Sequence, residues 1–256
     1  MHKEEQISRM RKLGKAHGTI LQELKQATKP GIRKKQLEEL FIMLLSKFSS
    51  GIPGIKSACK GYQPQGYKTP YPTNLCVARN FEAIHVPADN AIIEEGDLIT
   101  IDLVLTDGLV YTDSALSFIV GQTNNSTRTK LLKTSYNALY QAINKIRAGI
   151  KLGIVSSTIF SIVQRAGFDV LKDYGGHGIG TQMWEEPFIP NYGSPTSGPT
   201  LKEGDTLAIE PLVTAGTDKL AHINEWATRT ADYSDFVQVE HTVLVLANGF
   251  EILTKA

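Results

Sequence analysis

Four carboxylates stand where charge is costly: Asp102 inside "LITIDLVL", Asp113 inside "LVYTDSAL", Glu210 inside "LAIEPLV" and Glu240 inside "VQVEHTVLVL". A charged group in an apolar strand needs a partner or a bound cation. Between the first two lies Asp107-Gly108, the strongest short signal for a two-residue hairpin turn. Such a loop pairs position 106 with 109 and sets Asp102 opposite Asp113, with Cβ atoms ~5 Å apart on one face. Like charges so placed repel, and a divalent cation between them removes the conflict.

The stretch "GGHGIGTQMW" (175–184) adds His177 among Gly175, Gly176, Gly178 and Gly180. Carboxylates with an imidazole are the donor mixture that Mn, Fe, Co and Zn accept. Five such ligands exceed the four of a structural zinc site. They suit two ions sharing carboxylates ~3.5–4 Å apart, the arrangement of a metal-assisted hydrolase. The glycines read as backbone cleared for close approach of a substrate.

The elements that must hold these residues can be read from periodicity. Helical spacing marks residues 4–28, ending at "KPG", and 34–48; further helices are expected at about 125–147 and 155–166. Strands are expected at 75–79, 97–105, 109–120, 206–214, 220–230 and 236–246. The Pro- and Gly-punctuated "GYQPQGYKTPYPTN" is a loop. "EEGDLITID" (94–102) is matched by "KEGDTLAIE" (202–210), and "KPGI" from Lys29 by "RAGI" from Arg147. The reading is one α+β domain, 1–256, with duplicated halves at roughly 1–121 and 122–256.

With 27 Lys+Arg against 26 Asp+Glu, the chain carries no broad field for nucleic acid or membrane. No apolar run reaches the ~18–20 residues of a membrane span, and "MHKEEQISRM" is too polar for a signal peptide. Two cysteines, Cys59 and Cys76, make no disulfide framework. A cytoplasmic setting is expected.

Taken in order, Asp102, Asp113, "GHGIG", "IEP" and "EHT" resemble the type I methionine aminopeptidases. The resemblance runs from "ISRMRKLGKAHGTIL" and "KPG" to "EHTVLVL", nearly the whole chain. It implies the pita-bread fold, two pseudo-symmetric halves around a central antiparallel sheet. It implies two divalent metal ions (Co, Mn, Fe or Zn) on Asp102, Asp113, His177, Glu210 and Glu240. The first peptide bond would be hydrolysed by activated water, with Glu210 also moving the proton. His85, in "NFEAIHVP", matches a histidine that stabilises developing charge. Cys59, Tyr62, Tyr71, Cys76, Met183 and Trp226 would line the methionine pocket, a soft apolar set for an unbranched thioether.

Three departures from the family stand out. The loop between Gly61 and Tyr71 is longer by several residues, Met183 stands where Phe is usual, and Trp184 in "WEEP" replaces the second His of "HEEP". An indole donates one hydrogen bond but neither accepts one nor carries a proton. The expected function is removal of initiator methionine from nascent proteins and peptides with a small second residue. Its partners would be nascent N-termini, with a transient encounter with the ribosome, and it would act as a monomer without nucleic acid or membrane. The alternatives are a weakly active or specificity-shifted paralogue, a pita-bread pseudoenzyme that binds a partner, and a proline-directed peptidase of the same fold, which generally carries an additional N-terminal domain.

Overall fold

A computed structural model of the chain describes residues 1–256. Apolar residues three and four apart build α1 (Lys3–Ala27) and α2 (Lys34–Phe48), which bury Leu13, Ile20 and Leu24 on one and Leu37, Phe41 and Leu44 on the other. The first half continues with β1 (Lys56–Ser57), β2 (Cys76–Arg79), β3 (Leu98–Thr106) and β4 (Tyr111–Ile119). The second half opens on α3 (Ser126–Ile143) and α4 (Gly153–Arg165). Its strands are β5 (Asp169–Val170), β6 (Gly175–Gly178), β7 (Glu185–Pro190), β8 (Thr206–Ile209) and β9 (Leu212–Thr214). They are followed by β10 (Leu220–His222), β11 (Thr228–Thr230), β12 (Phe236–Gln238), β13 (His241–Leu246) and β14 (Gly249–Ile252).

The repeat seen in letters is also a repeat of hydrogen bonds. Gly31 N donates to Ile93 O and Gly149 N to Leu201 O; Ile93 N donates to Ile32 O and Leu201 N to Ile150 O. Gly96 N donates to Val120 O and Gly204 N to Val245 O. The Asp97 carboxylate accepts from Glu94 N at 2.7 Å, and that of Asp205 from Lys202 N at 2.8 Å. The hairpin β3–β4 thus corresponds to the pair β8–β13. Each half has its own core, with α1 and α2 over Val77, Ile99 and Ile101 and α3 and α4 over Leu207, Ile209 and Val243.

Three expected strands are interrupted. The run 206–214 splits at Glu210-Pro211, where Pro211 has no N–H for a ladder, and 236–246 splits at Val239-Glu240. At both points the chain changes sheets: β8 and β13 pair in the five-stranded order β14-β13-β8-β6-β7, whereas β9 and β12 belong to the order β12-β9-β5. The run 220–230 folds back on itself, β10 on β11, because the Asn224 side chain accepts from Trp226 N at 2.9 Å and Ala227 N at 2.8 Å.

The glycines around His177 serve a different end from the one expected. Strand β6 is held between β7 and β8. A Cβ on Gly176 would collide with the carbonyl oxygen of Ala208, and one on Gly178 with that of Glu186. Neighbouring strands, rather than a substrate, demand the bare backbone.

Candidate active site

The turn that sets the first two carboxylates is longer than the two-residue loop read from Asp107-Gly108. The Asp107 side chain accepts from Leu109 N at 2.9 Å and Val110 N at 3.0 Å, so four residues, 107–110, make the connection. Thr106 therefore pairs with Tyr111, Val104 with Asp113 and Asp102 with Ala115. A shift of two residues preserves the face. Asp102 and Asp113 stay on one side of the ladder as diagonal rather than direct neighbours.

Glu210 and Glu240 come from the two places where the chain changes sheets. Glu240 N donates to Ala115 O, and the Ser114 hydroxyl donates to Glu240 O at 2.8 Å. Asn191 Nδ2 donates to Glu210 O at 2.9 Å. His177 projects from β6, its Nδ1–H donating to Gly178 O at 2.9 Å. That bond fixes the tautomer and leaves the Nε2 lone pair free. Nε2 lies 3.8 Å from Asp113 Oδ2 and 3.9 Å from Glu210 Oε1. Ligand atoms of Asp113, His177 and Glu240, all buried, lie within 4.8 Å of one another.

Burial is the first cause of an unusual titration, and mutual repulsion adds to it. The Asp102 carboxyl is pushed up to about 7 by burial, although Gln238 hydrogen-bonds it. Burial, then neighbouring carboxylates, hold Asp113, Glu210 and Glu240 well above the usual range. Asp113 Oδ1 and Glu240 Oε1 are buried without any hydrogen-bond partner. Orphaned acceptors of that kind call for an occupant, and the carboxylate–imidazole donor set fits divalent cations.

Every site residue read from the sequence lines one cavity of about 480 Å³. Its inner end is a cluster of Cys59, Tyr71, Cys76, Val104 and Trp226, with Met183 packed against it. Tyr71 OH donates to Cys76 Sγ at 3.0 Å, and Val104 N donates to Cys59 Sγ at 3.4 Å. Burial pushes the Cys59 thiol up to about 12, so it lines the hole as a neutral, soft surface. At the mouth, Tyr62 is exposed, His85 is exposed with φ +55°, and the Trp184 ring lies 6.4 Å from that of His177.

Tyr67 and Gln238, not singled out from the sequence, also face the cavity. Tyr67 stacks on Trp226 at 4.0 Å between centroids and 26° between planes. The recurrence Tyr62, Tyr67, Tyr71 in a polar loop was the available signal. For Gln238 it was an amide two residues before Glu240 in an otherwise apolar strand.

Residues 8–247 match the model of metallopeptidase family M24. The methionine aminopeptidase of Clostridium acetobutylicum is 36% identical over 251 residues, 97% of this chain and 96% of that protein. Methionine aminopeptidase 1 of Bacillus subtilis is 33% identical over 96% of this chain and 95% of its own length. A crystal structure of methionine aminopeptidase from Thermotoga maritima superposes with a TM-score of 0.91 at 36% identity, covering 98% of this chain and 97% of that one. The prolidase of Pyrococcus horikoshii, 20% identical, shares the fold with a TM-score of 0.73, and only 62% of its chain is covered.

Proposed function

The chain belongs to metallopeptidase family M24, and from that premise we propose that it releases the N-terminal methionine of peptides and nascent proteins whose second residue is small. The pita-bread fold and the chemistry of a metalloaminopeptidase come with the family. One observation carries the finer reading. The soft apolar hole of Cys59, Tyr71, Cys76 and Trp226 opens onto the carboxylate–imidazole cluster within the same cavity. An unbranched thioether fills such a hole, while the free amine meets carboxylates.

Asp102, Asp113, His177, Glu210 and Glu240 would hold two divalent ions of the Mn, Fe, Co or Zn class. Bound there, the ions supply Lewis-acid polarisation of the first peptide carbonyl and acidify water. Glu210, kept ionised by the cations it would hold, takes the proton of the attacking water and passes it to the departing amine. His85, at the mouth, donates to the oxygen on which charge develops. A cytoplasmic setting belongs to the same proposal, supported by two free buried cysteines. No helix is long and apolar enough to cross a membrane.

Trp184 favours a second reading within the first, an aminopeptidase of altered rate or narrowed specificity. Its ring, 47% exposed, stands at the rim beside His177, where it can donate one hydrogen bond and accept none. No observation favours a pseudoenzyme, because all five candidate ligands line one cavity.

The test is methionine release from Met-Ala-Ser as metal-free protein is titrated with Mn²⁺, Co²⁺ and Fe²⁺. Release should require metal and be lost in Asp113→Asn. Trp184→His should raise kcat/KM by up to about 10²-fold, because an imidazole can also accept a bond and carry a proton. No release with any metal, in either the native protein or Trp184→His, refutes the aminopeptidase reading.

A further inference from the structure

A second depression, about 720 Å³, continues from the catalytic cavity and shares Tyr62, Met183 and Trp184 with it. Its far side is formed by Lys56 on β1, Lys60, Tyr111 and Gln182, and no Asp or Glu lines it. Lys56 and Lys60 are exposed, and neither ammonium group is in an ion pair. Of the carboxylates next to the wall residues in sequence, Glu185 accepts from the Thr181 hydroxyl and Gln182 N, and Asp107 is paired with Arg9 at 3.1 Å. The wall carrying Tyr62 is a closed loop, with Gly61 N donating to Tyr71 O and Tyr71 N to Tyr62 O. Its tip is tied down by the Glu225 carboxylate, which accepts from Lys68 N and the Thr69 hydroxyl. The groove is therefore a built continuation of the cavity, positively charged and without internal neutralisation. Outside the groove, the cavity is lined by one more acidic residue, Asp173.

We propose that this groove receives the substrate beyond its second residue, and that it favours peptides with Asp or Glu at positions three to five. The inference rests on the aminopeptidase reading above. With the methionine side chain in the inner hole and the first peptide bond at the carboxylates, the chain must leave past the exposed rim. Tyr62 and Trp184 form that rim and pass directly into the groove. At ~3.3–3.6 Å per extended residue, three residues beyond the rim span ~10 Å. The lysines do not touch the reacting bond, so they strengthen ground state and transition state alike and act on KM rather than kcat.

The experiment compares Met-Ala-Ser-Gly-Gly, Met-Ala-Glu-Asp-Gly and Met-Ala-Lys-Arg-Gly on the metal-loaded enzyme at low and high salt. Two exposed charge pairs predict a KM about fivefold lower for the acidic peptide than for the neutral one. The advantage should fade in 0.5 M salt and invert in the double variant Lys56→Glu with Lys60→Glu. If that variant is inactive, Lys56→Gln with Lys60→Gln must abolish the preference instead. Equal KM values for the three peptides, or a preference that survives both variants, overturns the proposal. So does a preference moved by Asp173→Asn and untouched by the lysines, which would put the exit beside Asp173. Failure to cleave even the neutral peptide counts against the aminopeptidase reading itself.

Discussion

At the scale of single residues, the site was legible because its members are out of place. Four carboxylates stand in apolar runs of the sequence, two inside strands and two at the breaks where the chain changes sheets, and the cavity does collect all four with His177. Their burial has a thermodynamic consequence. Asp102, ordinarily near 3.8, titrates at about 7 in the folded chain, and Asp113, Glu210 and Glu240 are also raised by burial. A carboxyl raised on folding contributes stability fully present below its unfolded pKa, and that contribution is lost as pH climbs through the folded value. The metal-free protein should therefore lose stability between about pH 4 and 7 from Asp102, with Asp113, Glu210 and Glu240 adding losses in the same direction. A divalent ion should return it, because cations favour the ionised forms. Calorimetry should show Mn²⁺ raising Tm more at pH 8 than at pH 5, with protons released on binding at pH 6. A metal-induced rise in Tm that is the same at both pH values would show that the carboxyls are already ionised without metal.

At the scale of elements, reading stopped at turns and breaks. The four helices and the long strands were legible from period, whereas the short strands β1, β5, β7 and β14 carry too few residues to show a clear one. The lengths of connections were not legible, because a side chain decides them: Asp107 takes four residues where Asp-Gly signals two, and Asn224 folds one expected strand into a hairpin. The segment bearing His85 shows the same control from a distance. Lys34, at the start of α2 and 0% exposed, pairs with Glu82 at 2.9 Å and Asp89 at 3.3 Å, one on either side of His85. Glu82 also accepts from Arg79 N at 2.8 Å, and Lys35 N donates to Asp89 O at 2.7 Å. This clamp holds a histidine in a left-handed conformation that residues with a Cβ seldom adopt. Replacing Lys34 by Met removes the cost of burying an ammonium but leaves Glu82, 20% exposed, without its cation, so stability should fall by up to about 3 kcal/mol. Freed from the clamp, His85 should lose its aim, with kcat falling by up to about 10²-fold. A double-mutant cycle decides whether Lys34 acts through His85. Adding Lys34→Met to His85→Ala should cost nothing further, and an equal loss in both backgrounds would sever the link.

At the scale of the whole molecule, the duplication explains why the site lies where it does. Asp102 and Asp113 come from the first half, His177, Glu210 and Glu240 from the second, and the hydrogen bonds that align them cross between halves. The Thr242 hydroxyl accepts from Asp113 N at 2.9 Å and donates to Asp113 O at 2.7 Å. In return the Ser114 hydroxyl donates to Glu240 O at 2.8 Å, and that of Ser117 to Gln238 O at 2.7 Å. Each half thus holds the backbone of the other's candidate ligand. Thr242 is 0% exposed, so no water can replace its hydroxyl. Thr242→Val keeps the shape and leaves the N–H and C=O of Asp113 without those bonds, at a cost of about 2–4 kcal/mol for two buried groups. If the stitch serves only to join the halves, metal affinity per folded molecule will be unchanged. If it aims Asp113, titration calorimetry on the folded fraction will show binding weakened by about 10–100-fold, the usual cost of losing a group that orients a ligand. Thr242→Ser, which keeps the hydroxyl, should restore it. We expect the second outcome, because the same oxygen that joins the halves bonds both backbone groups of a candidate ligand whose own Oδ1 has no partner.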